Sequence, residues 1–366
     1  MTTQRAVLTP QMLQYDDFDD PGETRWAPYL MYFHRAGYRS DVVNTDRLGF
    51  RISRCAGEQA SVGFRLPRGP VRLFAGSSTA FGIGATSDAA TMPSRLWSRY
   101  MPGNPWLNFA GRSHNSTQEL LLFLLYRDLL PEIEEIVIFS GLNNLALSRL
   151  PQSQQGDHGA FFNCGEYYEQ MEKLRAGHRP SRPGFGRRKA APAELAEDSA
   201  VPGLQDRILG AAEATARHLA SWQLLAKPTG ARISFVLQPL ATWVREQHAP
   251  EEKRLFDELD RVSNFWQLYG DIATKQACQS YSDALRNACN KLEIPFFDIN
   301  PVLAESVREQ DWLFVDRAHF TDKGNDIVAG LLADLLSRPD PAGHLSGVPH
   351  TSPSEGDYVK CHSCTR

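Results

Sequence analysis

Five short, nearly continuous apolar runs recur along the chain: VRLFAG (71–76), PWLNFAG (105–111), EEIVIFSG (134–141), ARISFVLQP (231–239) and IPFFDIN (294–300). Runs of this length, with little polar alternation, predict strands of a parallel sheet covered on both faces. Between them lie helical patterns, at 88–101, 116–130, 204–227, 252–292 and 322–337. Alternating strand and helix predict an α/β domain: a three-layer α/β/α sandwich around a five-stranded, mostly parallel sheet. In such sheets ligands bind at the carboxyl ends of the strands, so those tips are where chemistry is sought.

Other stretches stand outside the alternation. Residues 1–69 carry the aromatic stretch RWAPYLMYFHRAGYR, too apolar for a loose leader, and are expected to pack on the main domain at 70–338. An insertion at 151–203 is rich in Pro, Gly and Arg, which predicts a solvated linker or a mobile lid whose basic run could meet an anionic substrate. The segment 339–366 is rich in Pro, Ser and His and is expected to be a flexible tail.

Composition narrows the function classes. A net charge of −4 offers no electrostatic case for nucleic acid or an anionic membrane surface. No stretch is apolar for long enough to span a bilayer, and the first residues lack the plan of a secretory signal, so a cytoplasmic location is expected. Six scattered cysteines argue against a disulfide framework; Cys278 and Cys289 fall in a helical pattern and read as buried thiols. Cys361 and Cys364 form half a zinc site at most, on an expected free tail. No metal motif, phosphate-binding loop or dinucleotide fingerprint is present, so no metal is expected. The oligomeric state is not readable.

The strand tips hold the polar groups. After 71–76 come Ser77, Ser78 and Thr79; after 105–111 come Arg112, Ser113 and His114; after 134–141 come Asn143 and Asn144. Asp316 and His319, three residues apart, precede the last helix. This is an inventory for acyl transfer. A serine needs an adjacent base, and His319 can serve. Asp316 can hold the imidazole tautomer. Oxyanion donors are available in the Ser78 N–H, a backbone N–H of the 111–113 loop and the Asn143 amide. Ser78 would also open a helix whose N-terminal partial charge favours an anion. Taken singly, Ser78 reads as a helix cap, His319 as a surface histidine and Asp316 as an N-cap. His34, His158, His178, His218 and His248 show no partner pattern.

Four blocks in order, AGSSTAFG, NFAGRSHNS, GLNN and DRAH, resemble the SGNH hydrolases, also called GDSL esterases, over roughly residues 70–336. The upstream VVNTDRLGFR is similar to a stretch ending Gly-Phe-Arg that precedes this domain in many bacterial members. The resemblance implies a flavodoxin-like SGNH fold, Ser78 as nucleophile, His319 as base, Asp316 as its orienting acid, Asn143 as an oxyanion residue, and no cofactor. Departures are visible. The first-block Asp is Ser77, and the third block ends in Asn144 instead of Asp. Either Gly111 or Ser113 stands for the second-block glycine. Arg112, His114 and Asn144 remain candidates for contact with substrate. The expected partner is a small-molecule acyl ester or thioester. An acyltransferase acting on a sugar or small metabolite, and a non-catalytic ligand-binding relative, are the alternative functions.

Overall fold

A computed structural model describes residues 3–19, 25–64, 66, 69–150, 152–177 and 201–338. Two antiparallel hairpins come first: β1 (Arg25–Ala27) with β2 (Met31–Phe33), and β3 (Ser53–Cys55) with β4 (Glu58–Ala60). The central sheet is built from β5 (Val71–Gly76), β6 (Trp106–Ala110), β7 (Ile133–Ser140), β8 (Arg232–Leu237) and β9 (Phe296–Asp298). Its order is β6-β5-β7-β8-β9, and every pairing is parallel. Counted along the sheet strands alone, this is the 2-1-3-4-5 order of a flavodoxin-like doubly wound fold. The chain leaves β5 toward β6 on one side and returns to β7 on the other. A crevice therefore opens between the tips of β5 and β7, which end at Gly76 and Ser140.

The apolar runs become these strands because both of their faces are buried. Val71, Leu73, Phe74 and Ala75 are fully buried, and Phe74 stacks on Phe139 of β7 at 5.6 Å. Trp222, on the helix Leu204–Ala226, stacks on Phe123 at 4.4 Å. Two predicted elements differ in extent. Only Phe296–Asp298 of the fifth run is strand, because the Asp298 carboxylate accepts the Asn300 N–H at 3.0 Å and starts the helix Ile299–Ser306. The pattern at 252–292 breaks into the helices Pro250–Val262, Phe265–Tyr269 and Lys275–Lys291, the last capped by the Thr274 hydroxyl.

The N-terminal residues share this core. Met12, Tyr15, Phe18, Phe33, Val43 and Phe50 are buried in the same apolar cluster as the sheet. Arg51, the arginine of the Gly-Phe-Arg stretch, is wholly buried at 0 % exposure. Its Nε meets Asp88 at 3.0 Å, its Nη2 donates to the Val42 carbonyl, and its Nη1 donates to the Gly82 carbonyl at 2.9 Å. That stretch thus grips the chain a few residues beyond Ser78. Cys278 and Cys289 are buried free thiols, and burial pushes Cys289 up to about 12. The described part of the insertion includes the helix Cys164–Gly177; its residues 178–200, which hold the basic run and His178, lie outside the described residues, as does the tail with Cys361 and Cys364. Among the described residues no helix is long and apolar enough to cross a membrane.

Candidate active site

Gly76 ends β5 at φ +148°, and a Cβ there would lie 2.1 Å from the Phe139 carbonyl oxygen. Only glycine lets the chain turn so close to β7. Ser77 follows in extended conformation at the N-cap position, and Ser78 opens the helix Ser78–Phe81. Neither hydroxyl caps that helix. Ser77 Oγ is buried and donates to Gln238 Oε1 at 2.8 Å. Ser78 Oγ lies 2.8 Å from His319 Nε2. The helix is a single turn, so its contribution to an anion is its first N–H groups rather than a long aligned dipole.

His319 and Asp316 occupy a tight turn between Val315 and Phe320. Asp316 Oδ1 accepts the N–H groups of Ala318 and His319 at 2.8 and 2.9 Å, and Oδ2 faces His319 Nδ1 at 2.7 Å. Burial pushes the Asp316 carboxyl up, but the His319 imidazole and these hydrogen bonds outweigh it and hold the group below its ordinary value. The partners define the tautomer. Nδ1 faces a carboxylate and carries the proton; Nε2 faces a hydroxyl and accepts. Both side chains remain partly open, at 20 % for His319 and 26 % for Asp316.

The second loop is held at nearly every backbone group. Gly111 N–H donates to the Gly76 carbonyl at 3.0 Å, and His114 N–H donates to Gly111 at 3.1 Å. Arg112 N–H donates to His34 Nε2 at 2.9 Å. The N–H of Ser113, between them, has no partner among the described residues. Ser113 sits at φ +57°, the left-handed region usually left to glycine. Of the two candidates in this loop, the N–H of Gly111 is spent on the Gly76 carbonyl and that of Ser113 is unpaired among the described residues. Gly111 is glycine for a different reason: a Cβ there would lie 1.9 Å from His114 Nδ1.

Asn143, on the helix Leu142–Leu147 after β7, donates one amide hydrogen to the His114 carbonyl at 2.7 Å. Its second amide hydrogen has no partner among the described residues. Asn144 is turned to other work. Its Oδ1 accepts the Ser116 N–H at 2.9 Å, and its Nδ2 donates to Ser116 Oγ and Thr215 Oγ1. His114 is fully buried with Nε2 on the Tyr32 carbonyl, and burial lowers it to about 4. Both side chains are thus engaged in hydrogen bonds within the protein. Arg112 stays partly exposed and pairs with Asp19 at 2.7 Å.

A scan against protein-family models and a search of curated proteins find no match. Solved structures do. A member of the lipolytic protein G-D-S-L family from Veillonella parvula is 8 % identical, covering 74 % of this chain and 100 % of its own, with a TM-score of 0.40. A lipase/acylhydrolase from Enterococcus faecalis is 11 % identical, covering 72 % and 93 %, with a TM-score of 0.39. A GDSL-like lipase from Bacteroides thetaiotaomicron is 16 % identical, covering 72 % and 86 %, with a TM-score of 0.36. The chemistry of this chain rests on the residues of its own site.

Sequence reasoning missed several residues around that site. Gln238, buried past the end of β8, accepts from Ser77 and donates to Thr79 Oγ1 at 3.1 Å; Thr79 in turn donates to the Ala318 carbonyl at 3.1 Å. This links the Ser78 turn to the His319 turn. Arg317 meets both oxygens of Asp260, at 2.7 and 2.6 Å, and lies 4.5 Å from the Trp266 ring centre, which anchors the turn from its other side. His218, without a visible pattern in sequence, meets Ser116 Oγ at 2.7 Å. A separate polar cavity of about 210 Å³ is lined by Asn115, Asn144, Asp157, His158, Glu213 and Arg217, and neither Ser78 nor His319 reaches it. Among the described residues no three His, Cys, Asp or Glu side chains group as metal ligands would.

Proposed function

We propose that this protein is a serine hydrolase of the SGNH type that cleaves a carboxylic ester or thioester through an acyl-enzyme on Ser78. The observation that carries the reading is the unbroken line from Ser78 Oγ through His319 to Asp316, at 2.8 and 2.7 Å. A serine, an imidazole and a carboxylate at hydrogen-bond distance in that order are the parts an activated nucleophile requires.

In this reading Ser78 Oγ attacks the acyl carbon while His319 Nε2 takes its proton. Asp316 keeps the other nitrogen protonated and stabilises the imidazolium that forms. The oxyanion is met by the N–H groups of Ser78 and Ser113 and by the free amide hydrogen of Asn143. His319 then returns its proton to the leaving alcohol or thiol. A water deprotonated by the same histidine attacks the acyl-enzyme, and collapse of the second tetrahedral intermediate frees the acid and Ser78.

The test is labelling with a fluorophosphonate, read by intact mass, on the wild type and on Ser78→Ala. One adduct on the wild type and none on the variant is the expected result. A folded wild type that takes no adduct and cleaves none of a panel of short and long acyl esters would overturn the proposal. Running the panel with sugar and amine acceptors, and identifying the products, separates hydrolysis from acyl transfer.

A further inference from the structure

We infer that His34 and Tyr32, which lie outside the sheet domain, are positioning residues that aim the Ser113 N–H at the oxyanion. The inference rests on the serine-hydrolase reading and deepens it.

The 111–114 loop must hold a non-glycine residue at positive φ while one N–H stays unpaired, an arrangement the loop does not favour by itself. Two side chains from the N-terminal segment hold it there. Tyr32 Oη donates to the Ser113 carbonyl at 2.8 Å, and His34 Nε2 accepts the Arg112 N–H at 2.9 Å. These bonds fall on the peptide groups either side of the one that carries the Ser113 N–H, so they limit its rotation. His34 is itself oriented. Because Nε2 accepts from an amide, the proton sits on Nδ1, which donates to the Gly49 carbonyl at 3.0 Å. Gly49 begins the Gly-Phe-Arg stretch whose Arg51 holds the chain beyond Ser78. The imidazole is buried and packs 4.2 Å from the Phe81 ring, at the end of the Ser78 helix. One N-terminal segment thus sets two oxyanion donors relative to each other, without touching substrate or triad.

The experiment compares His34→Gln, His34→Leu and Tyr32→Phe with the wild type in the full-length protein. A glutamine at 34 can still present an acceptor to the Arg112 N–H; a leucine fills space without one. Each variant is first checked for the wild-type near-UV circular dichroism spectrum. The readouts are kcat and KM on a p-nitrophenyl ester, and inhibition by an alkylboronic acid, which forms a tetrahedral adduct with an activated serine. His34→Leu is expected to lose about 100-fold in kcat with KM little changed, the scale of one misaimed oxyanion donor. Its boronic acid inhibition should weaken in parallel, and His34→Gln should recover most of both. Tyr32→Phe should fall in the same direction. A folded His34→Leu with wild-type kcat would overturn the inference, and so would equal losses in the Leu and Gln variants. The serine-hydrolase reading fails differently: the wild type itself would neither label at Ser78 nor turn over ester, and this inference would fall with it.

Discussion

Glu119 offers a sharp check on the energetics of the loops that carry the site. It lies on the helix Ser116–Tyr126 that follows the Ser113 loop, is 2 % exposed, and accepts one hydrogen bond, from Ser140 Oγ at 2.6 Å at the end of β7. Its Oε2 has no partner among the described residues. Among the described residues no cation offsets the burial, which raises this carboxyl from 4.5 to about 8; the Ser140 bond lowers it only in part. The folded protein therefore keeps the Glu119 proton at pH values where the unfolded chain has released it. Stability from this group is fully present below the unfolded value and is lost as pH rises toward the folded one. The slope is about 1.4 kcal/mol per pH unit for one proton, so roughly 3 kcal/mol disappears between pH 5.5 and 8. Glu119→Gln keeps an acceptor for Ser140 and cannot ionise. The variant should match the wild type only well below pH 4.5, where both states keep the proton, and its advantage should grow by about 3 kcal/mol between pH 5.5 and pH 8. Urea unfolding of both proteins across that range measures the difference directly, and every other titrating group cancels in it. A difference that stays flat with pH would refute the argument, because Glu119 would then be ionised in the fold.

Three other outcomes are expected. Asp316→Asn should preserve folding and lower kcat by about 10⁴-fold, by removing the acceptor that keeps the His319 proton on Nδ1; steady-state kinetics on a labelled ester report it. Asn143→Ala should cost about 10² to 10³ in kcat if its free hydrogen meets the oxyanion, and a tenfold loss or less would assign it to the His114 carbonyl alone. Arg51→Met should lose about 3 kcal/mol in denaturant unfolding, since it removes the buried cation beside Asp88, whose side chain is 1 % exposed, and leaves that carboxylate only the more distant Arg54 at 3.5 Å and the Asn44 hydrogen bonds.

The periodicity of the chain already contained the sheet. Buried parallel strands need apolar residues on both faces, so each announces itself as a continuous run, and all five runs hold a strand of the central sheet. Their ends were less legible. Asp298 converts the tail of the last run into a helix start through a single side-chain bond, and a pattern of apolar residues does not register one bond. Ser78 and Asn143 could be proposed from sequence because they follow strand ends, where ligands bind in a doubly wound sheet, whereas Asp316 and His319 follow no sheet strand and were proposed from their own spacing. Which of Gly111 and Ser113 keeps an unspent N–H was beyond the sequence, since that depends on partners elsewhere in the fold.

What the sequence determined by itself is local: strand and helix periods, the glycine at a sharp turn, and the aspartate whose own turn binds the His319 N–H three residues on. Tertiary structure decided everything that needs a distant partner. Ser78 and His319 are 241 residues apart, Ser77 and Gln238 are 161, and Arg112 and His34 are 78. Hydrogen bonds act over about 3 Å and carry no trace of chain separation. A residue type can therefore advertise a capacity to donate or accept, but only the packed fold assigns the partner.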